Sequence, residues 1–262
     1  MLIRALSAIA GISLLYGSWL FFGINGLLAF CSVASLIGCI EYATMTEAKS
    51  LKARLVFTAI SFAFHLTFVF GFQGFEVFSL FFLTLVGSSV FFNRKSENNP
   101  LPQLCFKTVG LLYCGGLTGL IIMGTGTFGL VFFISVLLVS FTTDTFAYLG
   151  GRLLGKTPLA PSISPNKTLE GALIGLIGGS TIAYFYLSMT DHSSPLPTLA
   201  ITCIIASVLS QVGDLFESLI KRTSGVKDSG RILPGHGGVL DRIDGVLFAA
   251  PLIYVWLDTF LN

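Results

Sequence analysis

The sequence predicts an all-α, polytopic membrane protein with about nine transmembrane helices. Hydrophobic residues make up 53% of the 262-residue chain and charged residues only 11%, whereas a soluble domain carries about 25% charged residues. The mean hydropathy is +0.86. Apolar segments of about 20 residues recur along the sequence, and a helix of that length crosses ~30 Å of hydrocarbon.

Nine apolar segments are separated by polar or glycine-containing connections. They are predicted at residues 3–22, 24–41, 55–71, 74–92, 104–123, 128–149, 169–190, 197–216 and 245–261. The first segment begins with Arg4 but continues without a convincing cleavage site, so it is predicted to be a retained helix rather than a signal peptide. Residues 1–262 are expected to form one integral membrane domain, in which 1–123 supplies helices and 124–262 carries the polar motifs.

The basic residues lie on one side of the membrane if the nine spans alternate in direction. All fifteen Lys and Arg then lie at the N-terminus, in loops of the same side or at the edge of a span on that side. The opposite loops carry Glu76, Asp191 and His192 instead. Because cytoplasmic loops are enriched in Lys and Arg, the N-terminus and the basic loops are predicted to be cytoplasmic and the C-terminus outside. The expected location is a plasma membrane or bacterial inner membrane.

Cysteine and glycine patterns indicate structural roles. The five cysteines show no CxxC spacing, so they are predicted to be small buried residues rather than disulfides or zinc ligands. His65, in the third span, is expected to be a hydrogen-bonded residue of the helix bundle. Gly171 and Gly175 form a GxxxG pair in the seventh span, which is compatible with close helix packing or with a dimer face.

One polar stretch, residues 214–244, stands out from the apolar sequence. It holds four aspartates, one glutamate, five Lys or Arg and one histidine. Asp214, Ser218 and Lys221 are spaced to share one face of a helix. The segment 229–238 contains four glycines and one proline, which predicts a loop. Carboxylates on both sides of a glycine loop with nearby cations are typical of a site for a metal ion and a polyphosphate.

Asp214 and Asp241 are the predicted metal ligands, because each lies where an apolar span meets a polar segment. The alternative is that they form salt bridges with Arg222 or Arg242. Asp228 and Asp244 are second choices for metal binding.

The cations and the histidine of this stretch are candidates for phosphate binding. Lys221, Arg222, Lys227 and Arg231 are predicted to neutralise phosphates of a nucleotide or a lipid headgroup. They would otherwise mark the cytoplasmic side and contact anionic lipid. His236, between glycines, is expected to orient a phosphate or donate a proton, or else to be a structural loop residue.

Two further candidates precede this stretch. Asp144 lies within the sixth span near its cytoplasmic end, where an ionisable group indicates function; the alternative is a boundary residue bonded to neighbouring threonines. Ser164 and Pro165 predict an N-cap and first helical residue, which would place Lys167 in the first turn of the seventh helix. Such a helix start is either a phosphate site or an ordinary capped helix with a lysine that extends to the interface.

Ser218 to Asp244, SLIKRTSGVKDSGRILPGHGGVLDRID, resembles the signature of phosphatidate cytidylyltransferases. The upstream run 144–171 resembles the second region that this family shares, although Asn166 and Leu169 stand where the family more often has Lys and Trp. The resemblance implies an all-helical, dimeric membrane enzyme of phospholipid biosynthesis. It would react CTP with phosphatidate to give CDP-diacylglycerol and pyrophosphate, and it would use Mg²⁺ or another divalent cation. No nucleic-acid partner is expected.

The resemblance implies an individual role for two residues of this chain. Asp214 and Asp241 match the metal-binding aspartates. The other predicted catalytic residues are Lys221, Arg222, Lys227, Asp228, His236 and Asp244. The predicted substrate-binding residues are Asp144, Lys167, Ser218, Arg231, Gly237, Gly238 and Arg242.

Two alternative functions stay open at this point. One is another CTP-using lipid enzyme, such as a polyprenol kinase or an archaeal-type lipid cytidylyltransferase. The other is a secondary transporter with Asp144 as the coupling residue. A transporter would place ionisable residues near the middle of the membrane, whereas Asp144, Asp214, Asp241 and Asp244 lie toward one face in the predicted topology.

Overall fold

The computed structural model describes residues 2–47, 50–72, 75–93, 101–190, 195–235 and 237–261. The side chains of 2–8, 75–76, 78 and 88–93 are not described. Four of the residues discussed above, Glu76, Asp191, His192 and His236, therefore lie outside the described residues or side chains, as does the side chain of Arg4.

Helices make up most of the described chain. The elements in order are α1 (Leu2–Thr46), α2 (Leu51–Val69), α3 (Phe75–Asn93), α4 (Leu101–Gly110), a π-helix (Leu111–Leu117), α5 (Thr118–Leu154), β1 (Pro158–Ala160), β2 (Ser164–Thr168), α6 (Leu169–Thr190), α7 (Leu196–Thr223) and α8 (Leu240–Leu261). The prediction of a helical protein is confirmed, and one short β-hairpin is the exception to it.

Six helical stretches within the described residues are long and apolar enough to cross a membrane. They are Ile9–Thr46, Leu51–Val69, Leu101–Leu154, Leu169–Thr190, Leu196–Thr223 and Leu240–Leu261. Large apolar side chains such as Phe21, 79% exposed, and Leu153, 78% exposed, lie on their outer surfaces. This pattern confirms an integral membrane class, because such side chains are stable when lipid covers them. The count of about nine helices stays a prediction.

Two glycines interrupt the longest helices. Gly23 in α1 has φ 59° and ψ −140°, and Gly129 in α5 has φ 63° and ψ −141°. These angles are open to glycine and costly for residues with a Cβ. A Cβ on Gly26 would collide with the carbonyl of Ser18, so the chain turns back on itself around Gly23.

The chain divides into two compact units. The first comprises Met1–Met123 and Asp228–Leu240, and the second comprises Gly124–Lys227 and Asp241–Asn262.

In the first unit, the π-helix leaves the carbonyl of Cys114 open to side-chain donors. Thr118 Oγ1 donates to it at 2.5 Å, Ser35 Oγ at 3.2 Å and Cys39 Sγ at 3.8 Å. His65 lies beside this group, with Nδ1 2.8 Å from Thr118 Oγ1. His65 is therefore a hydrogen-bonded bundle residue, as predicted. Of the five free cysteines, Cys105 is exposed, contrary to the expectation of burial.

In the second unit, the glycines of α6 pack against α5 of the same chain. A Cβ on Gly171 would lie 2.7 Å from the carbonyl oxygen of Ala147, and one on Gly175 would lie 2.7 Å from that of Thr143. Small residues let two helix backbones approach closely. The GxxxG pair thus serves packing within the chain, and the dimer stays a prediction.

The segment before α6 differs from the sequence prediction. Ser164–Thr168 forms β2, which pairs antiparallel with β1, and α6 begins only at Leu169. The predicted N-cap at Ser164 and the helical position of Lys167 are therefore wrong. Thr168 supplies the cap instead, because its Oγ1 accepts from the backbone N–H of Gly171 at 3.2 Å. Proline is tolerated here because a two-stranded hairpin leaves one edge of each strand unpaired.

Candidate functional site

The last turns of α7 carry polar residues on one face, as the spacing predicts. Asp214 is half-buried, whereas Glu217, Ser218 and Lys221 are buried. A helix brings residues three, four and seven positions apart onto one surface. The structure therefore brings Asp214, Ser218 and Lys221 together and adds Glu217 to them.

Lys221 joins two carboxylates that come from different helices. Its Nζ lies 3.0 Å from Glu217 Oε2 on α7 and 2.5 Å from Asp241 Oδ1 in the first turn of α8. The side chains are 11% exposed for Lys221, 0% for Glu217 and 8% for Asp241. Because little water screens these charges, the contacts fix Asp241 against α7.

A second lysine approaches from the hairpin. Lys167 of β2 forms an ion pair with Asp214, and about a quarter of each side chain is exposed. Asp144 of α5 interacts electrostatically with Asp214, Lys167 and Arg242. Asp144 therefore lies near charged groups of α7, β2 and α8, and its functional role stays a prediction.

Asp244 completes the acidic group from one turn further along α8. It is 6% exposed, and its Oδ1 accepts the backbone N–H of Gly245 at 2.8 Å. Its carboxyl group lies beside those of Glu217 and Asp214. We call Asp144, Asp214, Glu217, Asp241 and Asp244 the carboxylate cluster.

Glu217 received no role in the sequence analysis, although a signal for it existed. It lies three residues after Asp214 and four before Lys221, so helical spacing alone places it between them. A glutamate within an apolar helix is a functional candidate by the same reasoning that selected Asp144.

The ion-pair partners differ from the predicted alternative. Asp214 and Asp241 pair with Lys167 and Lys221, whereas the sequence suggested Arg222 or Arg242 as partners. Arg222 donates from Nε to the carbonyl of Ile163 at 3.2 Å and from a terminal nitrogen to that of Val226 at 3.4 Å. In the structure it therefore connects the end of α7 to the β1–β2 turn.

The remaining predicted residues lie mainly on exposed segments. Lys227 and Arg242, in the second unit, are exposed. Asp228 and Arg231 are exposed in the first unit, and Gly238 there is buried. Gly237 has φ 81° and forms a bridge with Leu233. Their predicted contacts with substrate stay predictions.

The carboxylate cluster fits a hard divalent cation in charge and donor type. Within the described residues, no group of three or more His, Cys, Asp or Glu side chains has the spacing of a metal site. Mg²⁺, however, is often held by one or two carboxylates, with water and substrate phosphates as the other ligands. Five carboxyl groups lie near three cationic side chains, Lys167, Lys221 and Arg242. A divalent cation would offset the repulsion between neighbouring carboxylates.

A membrane protein whose carboxylates and lysines meet at helix ends is equipped for phosphate chemistry. The model of the cytidylyltransferase family matches residues 2–260, and the chain therefore belongs to that family.

Three curated relatives carry the same name. The chain is 35% identical over 266 aligned residues to the phosphatidate cytidylyltransferase of Staphylococcus haemolyticus, covering 98% of this chain and 99% of the relative. It is 46% identical over 139 residues to the enzyme of that name from Helicobacter pylori strain 26695, covering 50% of this chain and 52% of the relative. The Brucella melitensis enzyme of that name is 43% identical over 151 residues, 56% and 55% of the two chains.

Proposed function

We propose that this protein transfers the cytidylyl group of CTP to phosphatidate, forming CDP-diacylglycerol and pyrophosphate. The observation that carries the proposal is the carboxylate cluster with Lys167 and Lys221, in a chain that belongs to the cytidylyltransferase family. The relatives reported above are named for this same transfer of a cytidylyl group to phosphatidate.

The reaction needs two polyanions to meet. A phosphate oxygen of phosphatidate attacks the α-phosphorus of CTP, and the bond from that phosphorus to the bridging oxygen breaks as pyrophosphate leaves. The lipid phosphate is already anionic at neutral pH, so it needs little help from a base. Charge neutralisation and positioning are therefore the main requirements on the protein.

The structure supports different roles for the two lysines. Lys167 and Asp214 are partly exposed, so they form the accessible part of the site, and Lys167 is the cation that we expect to meet a substrate phosphate. Lys221 is buried between two carboxylates, so we expect it to position Asp241. Asp214 and Asp241 would hold the divalent cation, which supplies charge neutralisation for the phosphates and the leaving group.

We also propose that the glycine loop, residues 228–239, contributes to CTP binding. It carries Asp228, Arg231, Gly237 and Gly238, all within the signature, and its exposed arginine suits a nucleotide phosphate. The homodimer that the resemblance implies stays part of this proposal.

The reaction is tested with purified protein in detergent that is given CTP, phosphatidate and Mg²⁺. We expect CDP-diacylglycerol by mass spectrometry and an equal amount of pyrophosphate, and neither product when any one component is omitted. Release of CDP with a phosphorylated lipid would indicate a kinase instead. Pyrophosphate release only with another lipid phosphate would keep cytidylyl transfer and change the acceptor. Inactivity toward all of these lipids would contradict the proposal and direct attention to transport.

We propose nine membrane passes, with the N-terminus and the site on the cytoplasmic side. The helix breaks at Gly23 and Gly129 and the 19-residue helix α3 support this number. An odd number of passes places the C-terminus outside. Alkaline phosphatase fused after Asn262 is expected to be active in a bacterial host, and green fluorescent protein fused there to be dark. The opposite pair of results would contradict nine passes with this orientation.

A further inference from the structure

Glu41 is a buried carboxylate of α1 that makes an unusual set of contacts in the first unit. It is 4% exposed. Its Oε1 accepts the backbone N–H of Val239 at 3.0 Å, and its Oε2 accepts that of Leu240 at 3.0 Å and the hydroxyl of Ser229 at 3.2 Å. Donors from the two ends of the glycine loop therefore converge on one carboxylate.

The same carboxylate occupies the start of α8. That helix begins at Leu240, and the first N–H groups of any helix lack partners within it. The side chain of the residue just before a helix usually accepts a hydrogen bond from one of these N–H groups. Here that residue is Val239, whose apolar side chain cannot accept one. Glu41 supplies the acceptor from another helix, and its negative charge is stabilised by the helix N-terminus.

Glycines surround the carboxylate at positions where a Cβ would not fit. A Cβ on Gly230 would collide with Glu41 Oε1, and one on Gly238 would lie 2.5 Å from Oε2. On the same face of α1, a Cβ on Gly38 would lie 3.0 Å from the side chain of Leu240. Glycines of the loop and of α1 thus allow the loop to close around the carboxylate.

We propose that Glu41 is a positioning residue for cytidylyl transfer, which holds the glycine loop in the conformation that binds CTP. The inference rests on the proposed function. Ser229, Val239 and Leu240 enclose the segment that carries Arg231, Gly237 and Gly238, and Leu240 directly precedes Asp241 in sequence. Fixing both ends of the segment limits the conformations that its substrate-binding groups can adopt.

Charge and shape are both required of residue 41 in this role. A buried carboxylate is costly unless hydrogen bonds satisfy it, and here three do. In the variant Glu41→Gln, the side-chain NH₂ group would replace one carboxylate oxygen and face at least one of the N–H or O–H groups that now donate to Glu41. Glu41→Asp keeps the charge but shortens the side chain by one methylene, so it should recover part of the wild-type behaviour.

Hydrogen exchange tests the contact without any use of activity. In purified protein without substrate, the amides of Val239 and Leu240 should exchange about 10- to 100-fold faster in Glu41→Gln than in wild type. That range is the effect expected for hydrogen bonds to a charged group. Glu47→Gln is the matched control, because Glu47 is a second glutamate near the end of α1 and pairs with Lys107 at 3.3 Å. It should leave the exchange of these two amides unchanged.

Steady-state kinetics test the role in the reaction. The kcat/KM for CTP should fall about 10- to 100-fold in Glu41→Gln, mainly through a higher KM for CTP, with the KM for phosphatidate within about twofold of wild type. Glu41→Asp should lie between the two. Glu47→Gln should lower thermal stability yet keep both KM values.

Two results would overturn the proposal. Unchanged exchange of Val239 and Leu240 in Glu41→Gln would show that the carboxylate does not hold the loop. Faster exchange with unchanged kinetic constants in the folded variant would show a structural contact without influence on CTP binding. A wild type without cytidylyltransferase activity would instead contradict the proposed function, and the exchange experiment would still decide whether Glu41 holds the loop.

Discussion

Asp214→Asn and Asp241→Asn are each expected to lower kcat for pyrophosphate release by about 100- to 1,000-fold, the usual loss when one preorganised electrostatic contact is removed from a transition state. Asparagine keeps the shape of aspartate but removes the charge that would hold a divalent cation. The measurement is the initial rate as a function of Mg²⁺ concentration. Because a weakened ligand set lowers metal affinity, part of the lost rate should return at high Mg²⁺.

The two variants should fold, for reasons visible in the structure. In Asp241→Asn, Lys221 keeps its ion pair with Glu217 at 3.0 Å. In Asp214→Asn, Lys167 remains partly exposed to water. Thermal unfolding in detergent should therefore change little, and lost activity would report on chemistry.

Asp258→Asn is the matched control for this pair. Asp258 is exposed and lies near the opposite end of α8 from Asp241, so the same chemical change there should keep the rate within about twofold. If either site variant retained a third or more of the wild-type rate, that aspartate would not be a metal ligand. If only one of the two variants lost activity, the affected aspartate would hold the cation together with other carboxylates of the cluster.

Much of the helical fold follows from the sequence because hydropathy and helix length are local properties. The predicted boundary between the first two spans falls at residue 23, where Gly23 interrupts α1. The hairpin was missed because Ser164 and Pro165 have a strong local preference for a helix start, which pairing with β1 overrides. Only the folded chain shows that competition.

The site was predictable to the extent that it lies on single helices. The common face of Asp214, Ser218 and Lys221 follows from 3.6 residues per turn. The partners Lys167 and Asp241 come from other elements, and sequence spacing carries no information on them. The contact from Glu41 to the loop joins residues 188 to 199 positions apart. Local patterns cannot reveal such a contact, although a glutamate in an apolar helix gives a hint of function.

Lys221→Met is expected to lower the stability of the folded protein by about 3–5 kcal/mol, because removal of one partner leaves a buried charge uncompensated. Here two carboxylates, Glu217 and Asp241, would lose the cation between them. For a chain of this size, that loss corresponds to a Tm lower by roughly 6–20 °C. Thermal unfolding of the purified variant in detergent measures it.

The double variant Lys221→Met/Glu217→Gln separates stability from function. In the double variant Glu217 carries no charge and only Asp241 lacks its cation, so part of the lost Tm should return. Activity should not return, because Asp241 would still lack the lysine that positions it. The matched control is the Lys107–Glu47 pair of the first unit, whose side chains are 5% and 10% exposed. In that pair, the double variant Lys107→Met/Glu47→Gln should have a higher Tm than Lys107→Met alone and should keep activity. Recovery of activity together with Tm in the Lys221 double variant would show that Lys221 only stabilises the fold, whereas recovery of Tm alone would show that the same ammonium group also positions Asp241 for the reaction.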